Sequence, residues 1–403
     1  MSARGVALDV LLREDAWADR AFAAEAARKR LDPRDRAFAA QLAYGTIKAR
    51  RLLDACVAAL ADRDPASLDP VARSVVRLGA FQLLLLDRVP PHAAVSTAVE
   101  LASNRRGKGA AGLVNALLRR VADGGAAWVE ALPDTTVEEA ALRRSYPDWI
   151  AATWAAAYGL AAAKALMDAG NQPPEVAIRV RDAAQVDAEL GDALRADPDV
   201  PSARVVEGAV DLASTRSFKD GAMVPMSRSA QRIAPFLGPE PGMRVLDACA
   251  APGGKAGHIA DLLGGGAGLV CVERDAARAR QLEEALARLR ITGHELLAID
   301  VFDLDQTGFD RILIDAPCTG LGTIGSRPDL RWRRQPEDVE RLAALQRGMV
   351  DFLLPRLAPG GRLVLSLCTL GTAEGAVEGD RLELRPDLGA GEGFVAVALR
   401  SGV

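Results

Sequence analysis

Apolar residues recur at helical spacing through the first 120 or so positions of the chain. Val6, Ala7, Val10 and Leu11 form one stripe, and Ala37, Phe38, Leu42 and Ile47 form another. Val75, Val76, Leu78, Phe81, Leu83 and Leu84 form a third. Asp32-Pro33-Arg34-Asp35 predicts a helix start, with Asp32 as N-cap and Pro33 at the first helical position. Pro90-Pro91 breaks the chain before a further helix near His92. The pattern predicts an all-α domain over 1–122 and a helical linker over 123–170, where Tyr146-Pro147-Asp148-Trp149 opens one more helix.

Beyond Asn171-Gln172-Pro173-Pro174 the periodicity changes. Short strand-like runs, 176–180 and 203–206, mix with helical pieces and predict a small α+β subdomain over 171–235. In the last stretch, 236–403, strand and helix alternate. Strands are expected at 244–249, 268–273, 295–300, 310–315 and 362–368, and helices at 253–263, 275–290 and 338–357. Regular βα alternation predicts a doubly wound, largely parallel sheet with ligands at the carboxyl ends of its strands.

Composition adds bounds. The 403 residues are 49% apolar and 26% charged, as in an ordinary globular protein. No apolar run approaches the roughly 20 residues needed to span a membrane, and the N-terminus leads into an amphipathic pattern, not a signal-peptide core. Five scattered cysteines fit neither a disulfide framework nor a CxxC metal site. A reduced, cytoplasmic chain without a metal is expected. The net charge of −4 divides unevenly, with +7 over residues 1–120 and −11 over the remainder. A basic helical module suits an anionic partner.

Chemistry is concentrated at the expected strand ends. Cys249-Ala250-Ala251-Pro252-Gly253-Gly254-Lys255 joins a strand to a helix, and its glycines allow close backbone approach to a ligand. The run is neither a GxGxxG fingerprint nor a Walker A loop. Glu273 ends the second strand, where a carboxylate can accept both hydroxyls of a ribose. Asp300 ends the third, suited to the amine of an adenine. Together these features describe an S-adenosylmethionine site.

Two cysteines end the fourth and fifth strands, Cys318 within Asp315-Ala316-Pro317-Cys318 and Cys368 after Ser366-Leu367. Carbon 5 of cytosine accepts a methyl group only after a thiolate adds to carbon 6, so such chemistry needs an activated cysteine. Asp315 can hydrogen-bond the ring. The alternative is that both cysteines are small buried hydrophobes. Cys249 and Cys271 are expected inside strands as packing, and Cys56 in a helix core. Arg327-Pro328-Asp329-Leu330-Arg331-Trp332-Arg333-Arg334 surrounds a tryptophan with arginines, a composition suited to phosphate contact and base stacking. Arg105-Arg106-Gly107-Lys108-Gly109 offers three more cations, expected on a flexible loop between helices.

The assembled motifs resemble the RNA cytosine-5 methyltransferase family, specifically its RsmB/Sun (Fmu) 16S ribosomal RNA branch. The resemblance rests on residues 249–255, Asp315–Cys318, and Arg327-Pro328-Asp329 with Trp332. The N-terminal region looks like the NusB-like RNA-binding module fused to this branch. It carries Leu42-Ala43-Tyr44-Gly45, residues 77–84 and Val89-Pro90-Pro91-His92. The resemblance implies a class I (Rossmann-like) catalytic domain that uses S-adenosyl-L-methionine on small-subunit ribosomal RNA. Cys368 would be the nucleophile and Cys318 the cysteine that assists release. Residues 249–255, Glu273, Asp300 and Asp315 would hold the cofactor, with Lys255 between cofactor and substrate. The chain departs from the family pattern at Ala256, Leu367, residues 371–375 and Met226-Ser227. A transfer RNA methyltransferase, or a catalytically weak ribosome-assembly factor, stands as the alternative. A monomer is expected.

Overall fold

In the computed structural model, residues 2–13, 15–208 and 210–400 are described. Met1 and residues 401–403, the outer ends of the expected first and last domains, lie outside them. The chain divides into two units, one of Met1–Asn171 with Arg327–Arg333, the other of Gln172–Ser326 with Arg334–Val403.

The first unit is helical. Asp32 caps the helix Pro33–Ala61 by accepting the Asp35 N–H at 2.8 Å, as its sequence position predicts. The apolar stripes meet in one core that includes Val6, Leu42, Leu53, Val76, Leu78, Val114 and Leu118. Helix Lys108–Glu130 runs straight through the boundary expected at residue 122, because the face that buries Val114, Leu117, Leu118 and Val121 continues with buried Gly125 and with Trp128 packed on the same core. The supposed flexible loop at 105–109 shrinks to one residue. Pro91–Arg106 and Lys108–Glu130 are both helical, and only Gly107, with φ at 84°, stands between them.

Residues 327–333 are built into this helical unit, and the internal partners of Asp329, Arg331 and Trp332 correct the reading of those residues as a surface for phosphates and bases, while Arg327 stays exposed. Arg331 is fully buried. Its guanidinium donates to the carbonyls of Lys48 and Ser145 at 3.2 Å, to Asn171 Oδ1 at 3.0 Å and to Tyr146 Oη at 3.1 Å. Trp332 Nε1 donates to the Ile47 carbonyl at 2.6 Å, and Asp329 accepts the Ala18 N–H at 3.0 Å. Polar groups spent on internal partners are not available to RNA.

The second unit holds two sheets. The smaller, antiparallel throughout, runs β2–β3–β1–β4, with β1 Ala177–Val180, β2 Leu194–Ala196, β3 Ala203–Val206 and β4 Met223–Pro225. The larger comprises β5 Val245–Asp247, β6 Leu269–Val272, β7 Glu295–Leu297, β8 Phe309–Asp315, β9 Leu357–Leu367, β10 Asp380–Leu384 and β11 Phe394–Arg400. Its order is β10–β11–β9–β8–β5–β6–β7, parallel from β7 to β9 and antiparallel at β11 and β10.

Alternate residues of the central strands enter opposite cores. Val245, Cys271, Leu313 and Val364 join Ile259 and Leu282, from helices Gly254–Leu263 and Ala276–Arg288. Leu246, Val270, Ile312 and Leu365 join Met349 and Leu353 of helix Pro336–Leu353. Both faces are covered, so the strands read as nearly continuous apolar runs. The chain leaves β5 toward β6 and returns at β8 on its other side, which makes the β5/β8 boundary the topological switch point. The Cys249–Lys255 loop and the Asp315–Cys318 turn both start there.

Candidate active site at the strand ends

The loop after β5 is closed by its own backbone. The Ala250 N–H reaches the Val272 carbonyl at 3.0 Å, and the Gly253 N–H reaches the Ala250 carbonyl at 2.9 Å. Gly253 takes φ 106°, which an L side chain rarely adopts, and no side chain caps the helix that begins at Gly254. A Cβ at Gly254 would meet nothing within 4 Å, so the loop borders open space.

Glu273, just past β6, is buried. It accepts the Asp275 N–H at 3.0 Å, and its other oxygen lies 3.3 Å from Arg278 Nη1. Arg278 also donates to the Ala251 carbonyl at 2.7 Å, tying Glu273 to the glycine loop. Sequence reasoning missed Arg278. Its signal was a basic residue in a first helical turn, where the helix dipole favours an acidic one. Asp300 is not a strand-end residue. β7 stops at Leu297, and Asp300 instead caps the short turn Val301–Asp303 by accepting the Phe302 N–H at 3.1 Å.

Lys255 Nζ sits 2.8 Å from Asp315 Oδ2 and 5.3 Å from the centre of the Phe394 ring. Burial opposes its ammonium, but the Asp315 carboxylate, its hydrogen bond and the nearby Cys368 and Asp247 together outweigh burial and hold the Lys255 pKa above its usual value. Phe394 arrives on antiparallel β11, and no local sequence signal places it there. Asp247, at the end of β5, is fully buried and neither carboxylate oxygen has a well-formed hydrogen bond. Desolvation, reinforced by the Asp315 charge, pushes its pKa up to about 7, against Lys255 and partial support from the Cys249 N–H.

The two cysteines of the strand ends meet. Cys318 Sγ lies 3.2 Å from Cys368 Sγ. Their environments differ in sign. The hydrogen bond from Cys318 lowers the Cys368 pKa against the effect of burial, and Lys255 helps. The same bond and burial raise Cys318 well above the ordinary thiol range. Burial also raises Cys249, Cys271 and Cys56, the last to about 11, which leaves them unreactive. Cys271 lies within β6 as expected, whereas Cys249 stands in the loop two residues beyond β5.

Comparison with known proteins gives this arrangement a family. A family model described as 16S rRNA methyltransferase RsmB/F matches residues 234–385, and the NusB family matches 1–123. A Synechocystis protein named "Probable ribosomal RNA small subunit methyltransferase B" is 33% identical over 399 residues, 94% of this chain and 89% of its own length. A Pseudomonas putida protein named ribosomal RNA small subunit methyltransferase B is 33% identical over 84% of this chain and 79% of its own. The chain belongs to the RsmB family of ribosomal RNA methyltransferases. The crystal structure of a protein named PH0851 shares the fold, at TM-score 0.81 and 20% identity, covering 99% of this chain and 98% of its own. That of NSun6 from Pyrococcus horikoshii with SFG aligns at TM-score 0.58 over 64% of this chain and 99% of its own, with 20% identity.

S-adenosylmethionine is the cofactor of this RsmB family chain. The residues fit it: an uncapped helix start, open space at Gly254 and a buried acceptor in Glu273 surround one loop. Among the described residues no group of His, Cys, Asp and Glu could hold a metal ion, and no helix is long and apolar enough to cross a membrane.

Proposed function

We propose that the chain methylates carbon 5 of a cytosine in small-subunit ribosomal RNA through a covalent bond from Cys368 to carbon 6 of the ring. The observation that carries this reading is the 3.2 Å approach of two thiols whose surroundings favour a thiolate on Cys368 and a thiol on Cys318. The Cys368 thiolate adds to carbon 6 and makes carbon 5 nucleophilic. Residues 249–255, Glu273, Asp300 and Asp315 would hold S-adenosylmethionine, which would supply the methyl group. Asp315 accepts from the exocyclic amine of the cytosine, and Lys255 fixes that carboxylate through their ion pair. A base then takes the C5 proton, and the S–C6 electron pair returns to sulfur. The Cys318 hydrogen bond stabilises the departing thiolate.

We assign the basic helical unit to RNA docking and propose that the protein acts as a monomer in the cytoplasm. Bisulfite sequencing of a deletion strain should show one unprotected cytosine in small-subunit ribosomal RNA. Loss of a mark from transfer RNA instead would redirect the assignment. Cys318→Ala should accumulate a protein–RNA adduct on denaturing gels and Cys368→Ala should form none. The opposite pattern exchanges the two roles.

A further inference from the structure

The residues that follow the two cysteines are tied to one buried carboxylate. Glu374 Oε1 accepts the Thr319 N–H at 2.9 Å, and Glu374 Oε2 accepts the Thr319 hydroxyl at 2.5 Å. Thr319 Oγ1 lies 2.8 Å from Thr369 Oγ1. A carboxylate only accepts, so the Thr319 proton goes to Glu374 and the Thr369 hydroxyl donates to Thr319. Gln346, on helix Pro336–Leu353, completes the tie. Its amide nitrogen donates to Glu374 Oε1 and to the Pro317 carbonyl, both at 3.0 Å, and its oxygen accepts the Gly375 N–H at 3.3 Å. All four side chains are buried.

The thiols themselves cannot impose their separation, because S–H is a weak donor and sulfur a weak acceptor. Two loops from different strands must be held by what surrounds them. The backbone contributes one link, from the Gly322 N–H to the Cys368 carbonyl at 3.0 Å. Gly322 is also packed so tightly that a Cβ would fall 2.1 Å from the Gly393 oxygen. The carboxylate network contributes the links that reach both Thr319 and Thr369. Burying a carboxylate is costly unless it is hydrogen-bonded, and this one accepts from Thr319 after Cys318, from Gln346 and from the Thr372 hydroxyl at 3.3 Å, with Thr369 reaching it through Thr319.

We propose that Glu374 is a positioning residue, which through Thr319 and Thr369 holds the Cys318 and Cys368 thiols at hydrogen-bonding distance. Its catalytic consequence rests on Cys368 being the nucleophile, but the separation can be tested on the protein alone. Cys368 faces Cys318, Asp315, Lys255 and Glu392, and Cys318 also faces Glu374. Loss of the tie removes the Cys318 hydrogen bond while leaving Asp315, Lys255 and Glu392 in place.

The test is iodoacetamide alkylation of the free protein across a pH series, with modified Cys368 quantified by peptide mass spectrometry. The wild-type midpoint should lie below the ordinary thiol value of 9.0. Glu374→Ala and Thr319→Val should move it upward, to where Cys318→Ala places it, and Thr319→Ser should restore the wild-type midpoint. Thr319→Val keeps the Glu374 charge, so it separates positioning from a direct electrostatic effect, and it decides alone if Glu374→Ala does not fold. With RNA, single-turnover methylation by Thr319→Val should fall roughly 10–100-fold at unchanged S-adenosylmethionine affinity. Wild-type midpoints in both Thr319→Val and Glu374→Ala would overturn the inference. A wild-type protein that forms neither adduct nor methylcytosine overturns the proposed function instead, and the alkylation series still decides the role of Glu374.

Discussion

Asp247 carries an ionisation cost that a single substitution can remove. Its folded pKa of about 7 lies above the ordinary value of 3.8, so between these values the folded chain holds a proton that the unfolded chain has released. Stability contributed by the neutral form is present below the lower value and is lost as pH rises through the upper one. A span of about three pH units corresponds to ~4 kcal/mol. Urea titrations should show wild-type stability falling over this window, with the fall absent in Asp247→Asn. Parallel curves for the two proteins would mean that the carboxylate does not titrate there. Glu273 is expected to act on cofactor affinity. Losing its charged acceptor should weaken S-adenosylmethionine binding by about 1.5–3 kcal/mol, roughly 10–150-fold, without changing RNA affinity. Calorimetry on Glu273→Ala checks both.

Elements are secured by a few polar anchors set in apolar contacts. Residues 327–333 join the helical unit through Arg331, whose donors satisfy carbonyls from the segments around Lys48 and Ser145. Arg331→Met should destabilise the unit by about 3 kcal/mol, since each buried carbonyl left without a donor costs ~1–3 kcal/mol. Arg331→Lys should recover only part, because an ammonium lacks the planar fork that serves several acceptors together. Guanidinium denaturation measures both, and the folded fraction should keep wild-type RNA affinity. Lost RNA binding at unchanged stability would return Arg331 to the RNA-contacting role suggested by its neighbours in sequence.

Across the molecule, the +7 of residues 1–120 against the −11 of the rest is the basis for assigning RNA docking to the N-terminal helices. The cations differ in availability. Arg105 is paired with Asp9, and Arg106 with Asp69 at 3.1 Å. Lys108, Arg119 and Arg120 are exposed on one helix, and positions 108 and 119, three turns apart, share a face. Neutralising those three should lower the salt dependence of ribosomal RNA binding, by a slope of ~0.7–0.9 for each phosphate they neutralise in the wild-type complex. Neutralising Arg105 and Arg106 should change it less. An unchanged slope in the triple variant would place docking on another surface.

The sequence by itself determined the class of each region and the residue types of the site. Periodicity depends on local geometry, so the helical region, the βα alternation and the strand-end positions of Glu273, Asp315, Cys318 and Cys368 were all legible in it. The loop glycines were legible too, because Gly253 needs a backbone that other residues resist. Tertiary structure decided what no local pattern encodes. It set Cys318 against Cys368 across 50 residues of chain and brought Phe394 to Lys255 from an antiparallel strand. It also turned Asp300 into a cap and buried Arg331, which its neighbours had suggested was exposed. The physical reason is the same in each case. A side chain's partner is fixed by which strands lie side by side and which donors remain unsatisfied, and both are properties of the closed fold.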